Sequence, residues 1–279
     1  MNGLPPDDLW GESARDGADL QEPQYRPLYD AVFEATGVGP GVRLLDAGCG
    51  CGLALSRAAG RGADVAGFDA SDGLLGIARE RRPRLDVRWG LIEEPPFESR
   101  QFDVVTMFNV VHHPPEVVRL MGCLAPLGRP DALFAVTTWG PPRGCSMRQL
   151  FSGLGPWTAD RSPSDQVDAE PSGLVEELLE DRDFALVAAA NLECPFRYHD
   201  VEPALCGLLS AAPFVAAGRR YGDDVVRETV ASRLDRCRQP DGTIRIDNVF
   251  RWIVARRQPS RATLLTAPAI HRARLGARR

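Results

Sequence analysis

The chain alternates between short apolar runs and longer stretches in which apolar residues recur at helical spacing. The apolar runs predict strands near Leu44, at 64–69, at 86–90, near Val104, at 132–138 and at 184–190. The stretches between them predict helices at 25–36, at 53–61, from about residue 72, at 115–124 and at 174–181. Strands and helices that alternate along a chain are typical of an α/β fold with a mostly parallel sheet.

Three later stretches add to this core. Residues 243–255 alternate in part between apolar and polar side chains, which predicts an antiparallel last strand in the sheet. Residues 139–171 are rich in Pro, Gly and Ser around a possible short helix at 147–154, and residues 198–238 have a mainly helical pattern. Long segments at strand ends usually form lids or substrate walls, so we predict that 139–171 and 198–238 cap a substrate pocket.

The two ends of the chain differ in charge. Residues 1–22 contain six acids and one Arg, whereas residues 256–279 contain seven Arg and no acid. Polar, unevenly charged ends of this kind are typical of disordered tails. We therefore predict a disordered N-terminal tail at 1–22, one domain at 23–255 and a basic disordered tail at 256–279.

Composition is that of a globular protein with a sizeable core, since 44% of the 279 residues are hydrophobic and 25% are charged. No apolar run approaches the roughly 20 residues needed to cross a bilayer, and the acidic, Pro-rich start does not resemble a secretory signal. The net charge of −5 argues against nucleic acid as a partner. We expect a cytoplasmic protein without a membrane partner, as a monomer or a homodimer.

The chemically most informative segment is residues 48–52, Gly-Cys-Gly-Cys-Gly, which we name the glycine loop. It joins the strand near Leu44 to the helix at 53–61, and its glycines allow a ligand to approach the backbone. Asp46 lies just before the loop, and a carboxylate there favours a ligand with an ammonium group over one with a phosphate. The dinucleotide fingerprint needs Gly at its sixth position, which is Leu53 here, so the pattern indicates a cationic cofactor.

A second acid, Asp69, ends the next predicted strand, one strand-helix-strand unit after Asp46. An acid at this place accepts hydrogen bonds from ribose hydroxyls in nucleotide-binding α/β folds. Ser71 or Asp72 is a suitable N-cap for the helix that follows. The loop and the two acids together predict a site for a cofactor that carries a nucleoside.

The pattern of Asp46 and the glycine loop resembles motif I of the class I S-adenosylmethionine (SAM) dependent methyltransferases. Residues 101–115, with Phe102 and Asp103 at the start and His113 late, resemble the fourth-strand motif of the same family. The resemblance covers roughly residues 25–255 and is strongest at 42–115. It implies a Rossmann-like, mostly parallel sheet of seven strands with an antiparallel last strand, helices on both faces, and SAM as cofactor.

The resemblance also assigns contacts to the cofactor. Asp46 and the loop glycines would hold the methionine end, Asp69 the ribose, and Asn109 would lie beside the sulfonium. The residues assigned to the cofactor are Asp46, Gly48, Cys49, Gly50, Asp69, Ala70, Leu91, Ile92, Asn109 and Tyr25. Many relatives have an acid after Gly90 that takes the adenine amino group. This chain has Leu91 there, so backbone groups at Leu91 and Ile92, or Glu93, would replace it.

Two of these assignments have a plain alternative. Tyr25, one helical turn before Tyr29, could close over the cofactor or simply pack in the core. Cys49 fits a crowded turn as a small side chain, whether or not it contacts a ligand. The seven cysteines contain no Cys-x-x-Cys pair, and no carboxylate cluster marks a divalent cation site, so we predict no metal.

The implied reaction is transfer of the methyl group of SAM to a small-molecule acceptor, O or N rather than C, in a biosynthetic pathway. Such a protein mainly positions two reactants and excludes water. A hydroxyl or protonated amine also needs a base, for which His113 and then His112 are the candidates, unless the pair is an inert part of a helix start. Two alternatives remain, a SAM-binding fold that catalyses a cyclisation or pericyclic step and a SAM-binding protein without enzymatic activity.

Overall fold

Seven strands form the main sheet of the computed structural model, which describes residues 8–111, 114–141, 145–147, 150 and 173–258. The strands in the described residues are β1 (Arg43–Ala47), β2 (Asp64–Asp69), β3 (Asp86–Trp89), β4 (Phe102–Phe108), β5 (Gly128–Trp139), β6 (Phe184–Glu193), β7 (Phe196–Tyr198), β8 (Ile244–Ile246) and β9 (Val249–Arg257). The main sheet has the order β3-β2-β1-β4-β5-β9-β6. Strands β1 to β5 run parallel, and β9 is antiparallel to β5 and β6. The predicted Rossmann-like sheet is confirmed.

The helices cover both faces of this sheet. Those in the described residues are α1 (Ala14–Asp16), α2 (Arg26–Thr36), α3 (Leu53–Gly60), α4 (Asp72–Arg81), α5 (Pro114–Leu124), α6 (Leu174–Glu180), α7 (Val201–Leu209), α8 (Ala212–Tyr221) and α9 (Asp223–Leu234). The side chains of each strand alternate between the two faces. Leu45 and Val105 pack with α5 and α6, whereas Leu44 and Val104 pack with α2, α3 and α4.

Local signals set the helix ends where the sequence predicted them. The Ser71 side chain accepts a hydrogen bond from the Leu74 N–H at 3.1 Å, so Ser71 is the N-cap of α4. Helix α2 ends at Gly37, whose φ of +67° lets the Val38 N–H reach the Phe33 carbonyl.

A second apolar cluster lies beside the sheet and forms what we name the cap, consisting of α7, α8, α9, β7 and β8. Phe196 and Ile244 of the small sheet pack there with Leu208 and Phe214 of the helices. Most of 198–238 is helical, as predicted. Of the other predicted cap segment, 139–171, all but residues 139–141, 145–147 and 150 lies outside the described residues.

The predicted antiparallel last strand is confirmed in β9, but its predicted bounds, 243–255, were wrong, because this stretch forms two strands. Residues 244–246 pair with β7 in the cap, and the main-sheet strand starts only at Val249. Between them the chain bonds to other segments, because the Ser146 N–H donates to the Asp247 carbonyl and the Cys194 N–H to the Asn248 carbonyl. The pairing partners of the two halves, which lie far away in sequence, cause the break.

The N-terminal tail was predicted as disordered over 1–22, and from residue 8 this is also wrong. Residues 8–25, which we name the N-terminal segment, contain α1, a π-helical turn at Gly17–Gln21 and a 3-10 turn at Glu22–Tyr25. Ala14 and Ala18 are buried against Cys51 and Ile77, and Leu20 and Tyr25 pack against the apolar cluster of the cap. Polar contacts with residues that are distant in sequence add to this packing, and hydrophobic patterning does not detect them.

Among the described residues, no single helix has both the length and the apolar composition to cross a membrane. Helices α7 and α8 have the required length and composition only when they are taken together, and the pair is bent by 90°.

Candidate active site

The carboxyl ends of the parallel strands bring the two predicted acids to one edge of the sheet. Asp46 lies opposite Gly67 of β2 and Thr106 of β4, and Asp69 is the last residue of β2. Asn109 follows the end of β4 at the same edge. In open α/β sheets this edge, beside the first strand, is where ligands bind.

The glycine loop needs its glycines for two different reasons. Gly48 and Gly50 have φ of +74° and +52°, values that side chains with a Cβ rarely adopt. A Cβ on Gly48 would lie 2.4 Å from Cγ2 of Val110, so Gly48 is closed in by the protein itself. A Cβ on Gly50 would meet nothing within 4 Å. The open side of the loop is therefore at Gly50.

Backbone and side chains hold the loop against β2. The N–H groups of Gly48 and Cys49 donate to the Phe68 carbonyl at 2.9 and 3.0 Å. The Cys49 side chain is buried above Gly67, where a Cβ would come within 2.9 Å of the Cys49 Cβ. Cys49 thus directs its side chain into the protein, and only its backbone can meet a ligand. All cysteines in the described residues are free thiols.

Asp46 is a buried acid, with only 2% of its surface exposed. The Thr106 hydroxyl donates to its Oδ1 at 2.7 Å. Burial raises the pKa of Asp46 from 3.8 to about 8, the Thr106 bond acts in the opposite direction, and the charges of Asp69 and Glu22 raise it further. A cation that binds at this site would therefore stabilise the ionised form of Asp46.

Asp69 is held in place by backbone N–H groups of the glycine loop and of the start of α4. Its Oδ2 accepts the Gly50 N–H and its Oδ1 the Ser71 N–H, both at 2.9 Å. Burial raises its pKa, while these backbone bonds lower it. The Ala70 carbonyl accepts the indole N–H of Trp89 at 2.9 Å, which keeps the residue after Asp69 in place.

Glu22, which sequence reasoning missed, is the third acid at the loop. Its side chain is 14% exposed, its Oε1 accepts the Leu53 N–H at 3.0 Å, and its Oε2 pairs with Arg81 at 2.6 Å. Arg81 also donates to the Cys51 carbonyl at 2.6 Å. No local pattern marks Glu22, because its partners are 31 and 59 residues away.

This contact decides which ligand the start of α3 can accept. The first N–H groups of a helix carry partial positive charge and are the usual place for a phosphate in nucleotide-binding folds. Here the Glu22 carboxylate already accepts the Leu53 N–H at that helix start. A pyrophosphate would meet a carboxylate instead of free donors, in agreement with the absence of a sixth-position glycine at Leu53.

Asn109 has a left-handed backbone with φ of +53°, which Asn tolerates better than most residues. Its N–H donates to the Thr137 hydroxyl and its Oδ1 accepts from that hydroxyl, both at 3.0 Å. Thr137 on β5 therefore holds both the backbone and the side chain of Asn109. The candidate bases His112 and His113 lie outside the described residues.

Leu91 and Ile92, which the resemblance places beside the adenine, are apolar. Ile92 is buried in the core and Leu91 is half-buried. Glu93 is exposed and pairs with Arg119 at 3.0 Å. The arrangement offers an apolar surface at Leu91 and Ile92 rather than a buried acid.

A chain of aromatic rings leads from the end of β4 to the cap. Tyr29 contacts Phe108 at 4.8 Å between ring centroids, and Tyr25 lies 6.4 Å from Tyr29. Tyr25 in turn lies 5.1 Å from Phe196 of the cap and 5.6 Å from Phe250 of β9. Burial raises the pKa of Tyr25 to about 12, so its hydroxyl stays protonated. Tyr25 thus packs between sheet and cap.

The hydrogen-bond acceptors of the site fit SAM. The buried carboxyl of Asp46 and the half-buried carboxyl of Asp69 are near a loop that is open at Gly50, and a third carboxylate occupies the start of α3. A ligand with an ammonium, a sulfonium and ribose hydroxyls matches these acceptors, and one with phosphates does not. Among the described residues, no group of three or more His, Cys, Asp or Glu side chains is placed to hold a metal ion.

Comparison with known proteins finds similarity in the part of the chain that contains the glycine loop. Residues 45–136 match the family described as methyltransferase domain. A ubiquinone biosynthesis O-methyltransferase of Sinorhizobium medicae is 40% identical over 137 residues, 41% of this chain and 55% of the relative. A demethylmenaquinone methyltransferase of Renibacterium salmoninarum is 32% identical over 138 residues, 48% of this chain and 58% of the relative. The chain therefore spans about half the length of these curated relatives.

The same fold occurs in solved structures. The crystal structure of the cyclase SpnF superposes with a TM-score of 0.53 at 20% identity, over 84% of this chain and 82% of the other. At this identity the similarity concerns the fold alone.

Proposed function

We propose that the chain transfers a methyl group from SAM to a small-molecule acceptor, because residues 45–136 match the family described as methyltransferase domain and the glycine loop with Asp46 resembles the class I, SAM-dependent members. SAM is the cofactor, and its sulfonium supplies the activated methyl group. The protein contributes the position of the two reactants and a site from which water is excluded.

The observation that carries this proposal is the set of carboxyls around the glycine loop. Asp46 would bind the ammonium of the methionine end, and the loop backbone at Gly50 would face the same part of the cofactor. Asp69 would accept the ribose hydroxyls with the lone pairs that its bonds to Gly50 and Ser71 leave. Leu91 and Ile92 would provide an apolar wall for the adenine.

Aromatic rings lie between the sheet and the cap, where Phe196 and Phe250 are fully buried, and the half-buried Tyr25 and Trp139 would face an apolar, ring-bearing acceptor. Tyr25, Phe196, Phe250 and Trp139 form a continuous group, with Trp139 stacked on Phe250 at 4.8 Å. Two relatives that match about 40% of the chain are named as O-methyltransferases of ubiquinone biosynthesis. We therefore favour a hydroxyl on an apolar molecule of a biosynthetic pathway as the methyl acceptor.

A hydroxyl acceptor must lose its proton, and His113 and His112 are the candidate bases by their place after β4. A neutral imidazole accepts a proton near neutral pH. Asn109, held by Thr137, lies at the start of the same connection.

The first experiment is a calorimetric titration with S-adenosylhomocysteine (SAH), with NAD as the control ligand. We expect micromolar binding of SAH and none of NAD, and weaker SAH binding by Asp69→Ala. An Asp69→Ala variant that binds SAH like the parent would contradict the ribose assignment. Incubation with SAM labelled in its methyl group and hydroxylated aromatic acceptors then tests transfer, since a cyclisation would leave the label on SAM.

A further inference from the structure

The N-terminal segment lies against the cofactor side of the fold. At one end, the Asp8 carboxylate accepts the Ser71 hydroxyl at 2.8 Å and the Gly73 N–H at 3.0 Å. Further along, the Cys51 thiol contacts the Ala14 carbonyl, and Ala14 packs with Cys51 and Ile77. The segment thus touches the helix start after Asp69 and the glycine loop itself.

Glu22 is the residue of this segment that anchors the loop on both sides of Gly52. It binds Leu53 directly and binds Cys51 through Arg81, so its carboxylate fixes the backbone on both sides of Gly52. Gly52 has φ of +73°, and its two glycine neighbours in the loop are also left-handed. Without a side-chain anchor, a chain with three glycines in five residues would have many accessible conformations.

The other contacts of the segment do not reach the loop backbone in this way. Arg15 pairs with Glu80 on α4, but the two side chains are 58% and 63% exposed. Exposed ion pairs contribute little to stability. The side chains of the Glu22–Arg81 pair are only 14% and 22% exposed, and a carboxylate at a helix N-terminus also interacts favourably with the helix dipole.

We propose that Glu22 is a positioning residue for the cofactor: it holds the glycine loop in its binding conformation before the cofactor arrives. The proposal rests on the proposed function, in which this loop binds SAM. When the loop is ordered in advance, binding does not have to supply the ordering free energy, so affinity is higher. The same carboxylate keeps phosphate-bearing ligands from the start of α3.

The experiment compares Glu22→Ala, Glu22→Gln and the control Glu80→Ala in the full chain. Glu22→Gln keeps an oxygen for the Leu53 N–H but loses the charge that attracts Arg81. Glu80→Ala removes an ion pair of the same segment that does not touch the loop. The readouts are SAH affinity by calorimetry, the melting temperature, and hydrogen exchange of the amides at 49–53 with and without SAH.

We expect SAH affinity to fall roughly tenfold in Glu22→Ala, which corresponds to about 1.4 kcal/mol, and by less in Glu22→Gln. Glu80→Ala should bind like the parent. Amides at 49–53 should exchange faster in free Glu22→Ala, and saturating SAH should remove most of that difference. If Glu22→Ala does not fold, Glu22→Gln and Arg81→Gln carry the same comparison.

Parent-like SAH affinity in a folded Glu22 variant would overturn the proposal, even if its melting temperature were lower. Unchanged exchange at 49–53 would do the same. If the parent itself does not bind SAH, the proposed function fails. The exchange of the free variants then still decides whether Glu22 positions the loop.

Discussion

Replacing Asp46 by Asn tests whether the acid at the centre of the cofactor site destabilises the free protein. Asp46 is buried, and burial raises its pKa from 3.8 to about 8. Its Oδ1 accepts the Thr106 hydroxyl at 2.7 Å, and an Asn oxygen can accept the same bond. The substitution therefore removes the ionisable group while it keeps the shape and the hydrogen bond.

The sign of the pH dependence follows from the two pKa values. The unfolded chain loses the proton of Asp46 near pH 3.8, whereas the folded protein keeps it until about pH 8. Between these values the folded state binds one more proton, so the free energy of unfolding falls as the pH rises. One proton corresponds to about 1.36 kcal/mol per pH unit, which gives roughly 3 kcal/mol over the two units from pH 5.5 to 7.5.

The assay is urea unfolding of the parent and of Asp46→Asn at several pH values between 5 and 8.5. Carboxyls that do not interact with Asp46 titrate equally in both proteins, so the difference between the two curves reports Asp46 together with its coupling to Asp69 and Glu22. We expect the free energy of unfolding of the variant to rise relative to that of the parent as the pH rises, by roughly 3 kcal/mol between pH 5.5 and 7.5. Asp64→Asn is the control, since it makes the same chemical change at a carboxylate that is 77% exposed on β2.

A stability difference that does not change with pH would refute the reasoning, because Asp46 would then ionise alike in both states. A variant that loses stability relative to the parent as the pH rises would show that the predicted sign of the pH dependence is wrong. The same variant should lose SAH binding. In the parent, SAH affinity should rise from pH 6 to 8, since an ammonium binds the ionised form of Asp46 and lowers its pKa.

Substitutions at Gly50 and at His113, each with a matched control, test other parts of the site. Gly50→Ala and Gly37→Ala both place a Cβ in open space at positive φ, so urea unfolding should show a loss of about 1 kcal/mol or more for each, but only Gly50→Ala should weaken SAH binding in calorimetry. Equal affinity in the two would mean that the cofactor does not approach Gly50. His113→Ala should lower the turnover of a hydroxyl acceptor at least 100-fold if it is the base, with SAH affinity retained, and His112→Ala should have a smaller effect. Full turnover in His113→Ala would remove it as the base.

The core of the fold could be predicted because its signals are local. Strands β1, β2 and β4 are short apolar runs, and parallel strands necessarily bring their carboxyl ends to one edge. Asp46 and Asp69 were therefore placed at the glycine loop from their spacing alone. Ser71 as N-cap follows from the same kind of local rule.

Features with distant partners could not be predicted in this way. Residues 243–255 have a continuous strand pattern, yet β8 pairs with β7 and β9 with β5, and no local pattern shows that choice. Glu22 resembles any acid of a polar tail until Leu53 and Arg81 are brought to it. Long-range contacts of this kind need the whole fold.

The amino-acid pattern by itself determined the α/β architecture, the position of the glycine loop and the presence of two acids beside it. The tertiary structure alone decided the state of those acids. Burial raises the pKa of Asp46 to about 8, and a third carboxylate from the N-terminal segment accepts the first free donor of α3. A sequence records which groups ionise, but the energy of ionisation depends on how much water and which charges the folded chain leaves around each group.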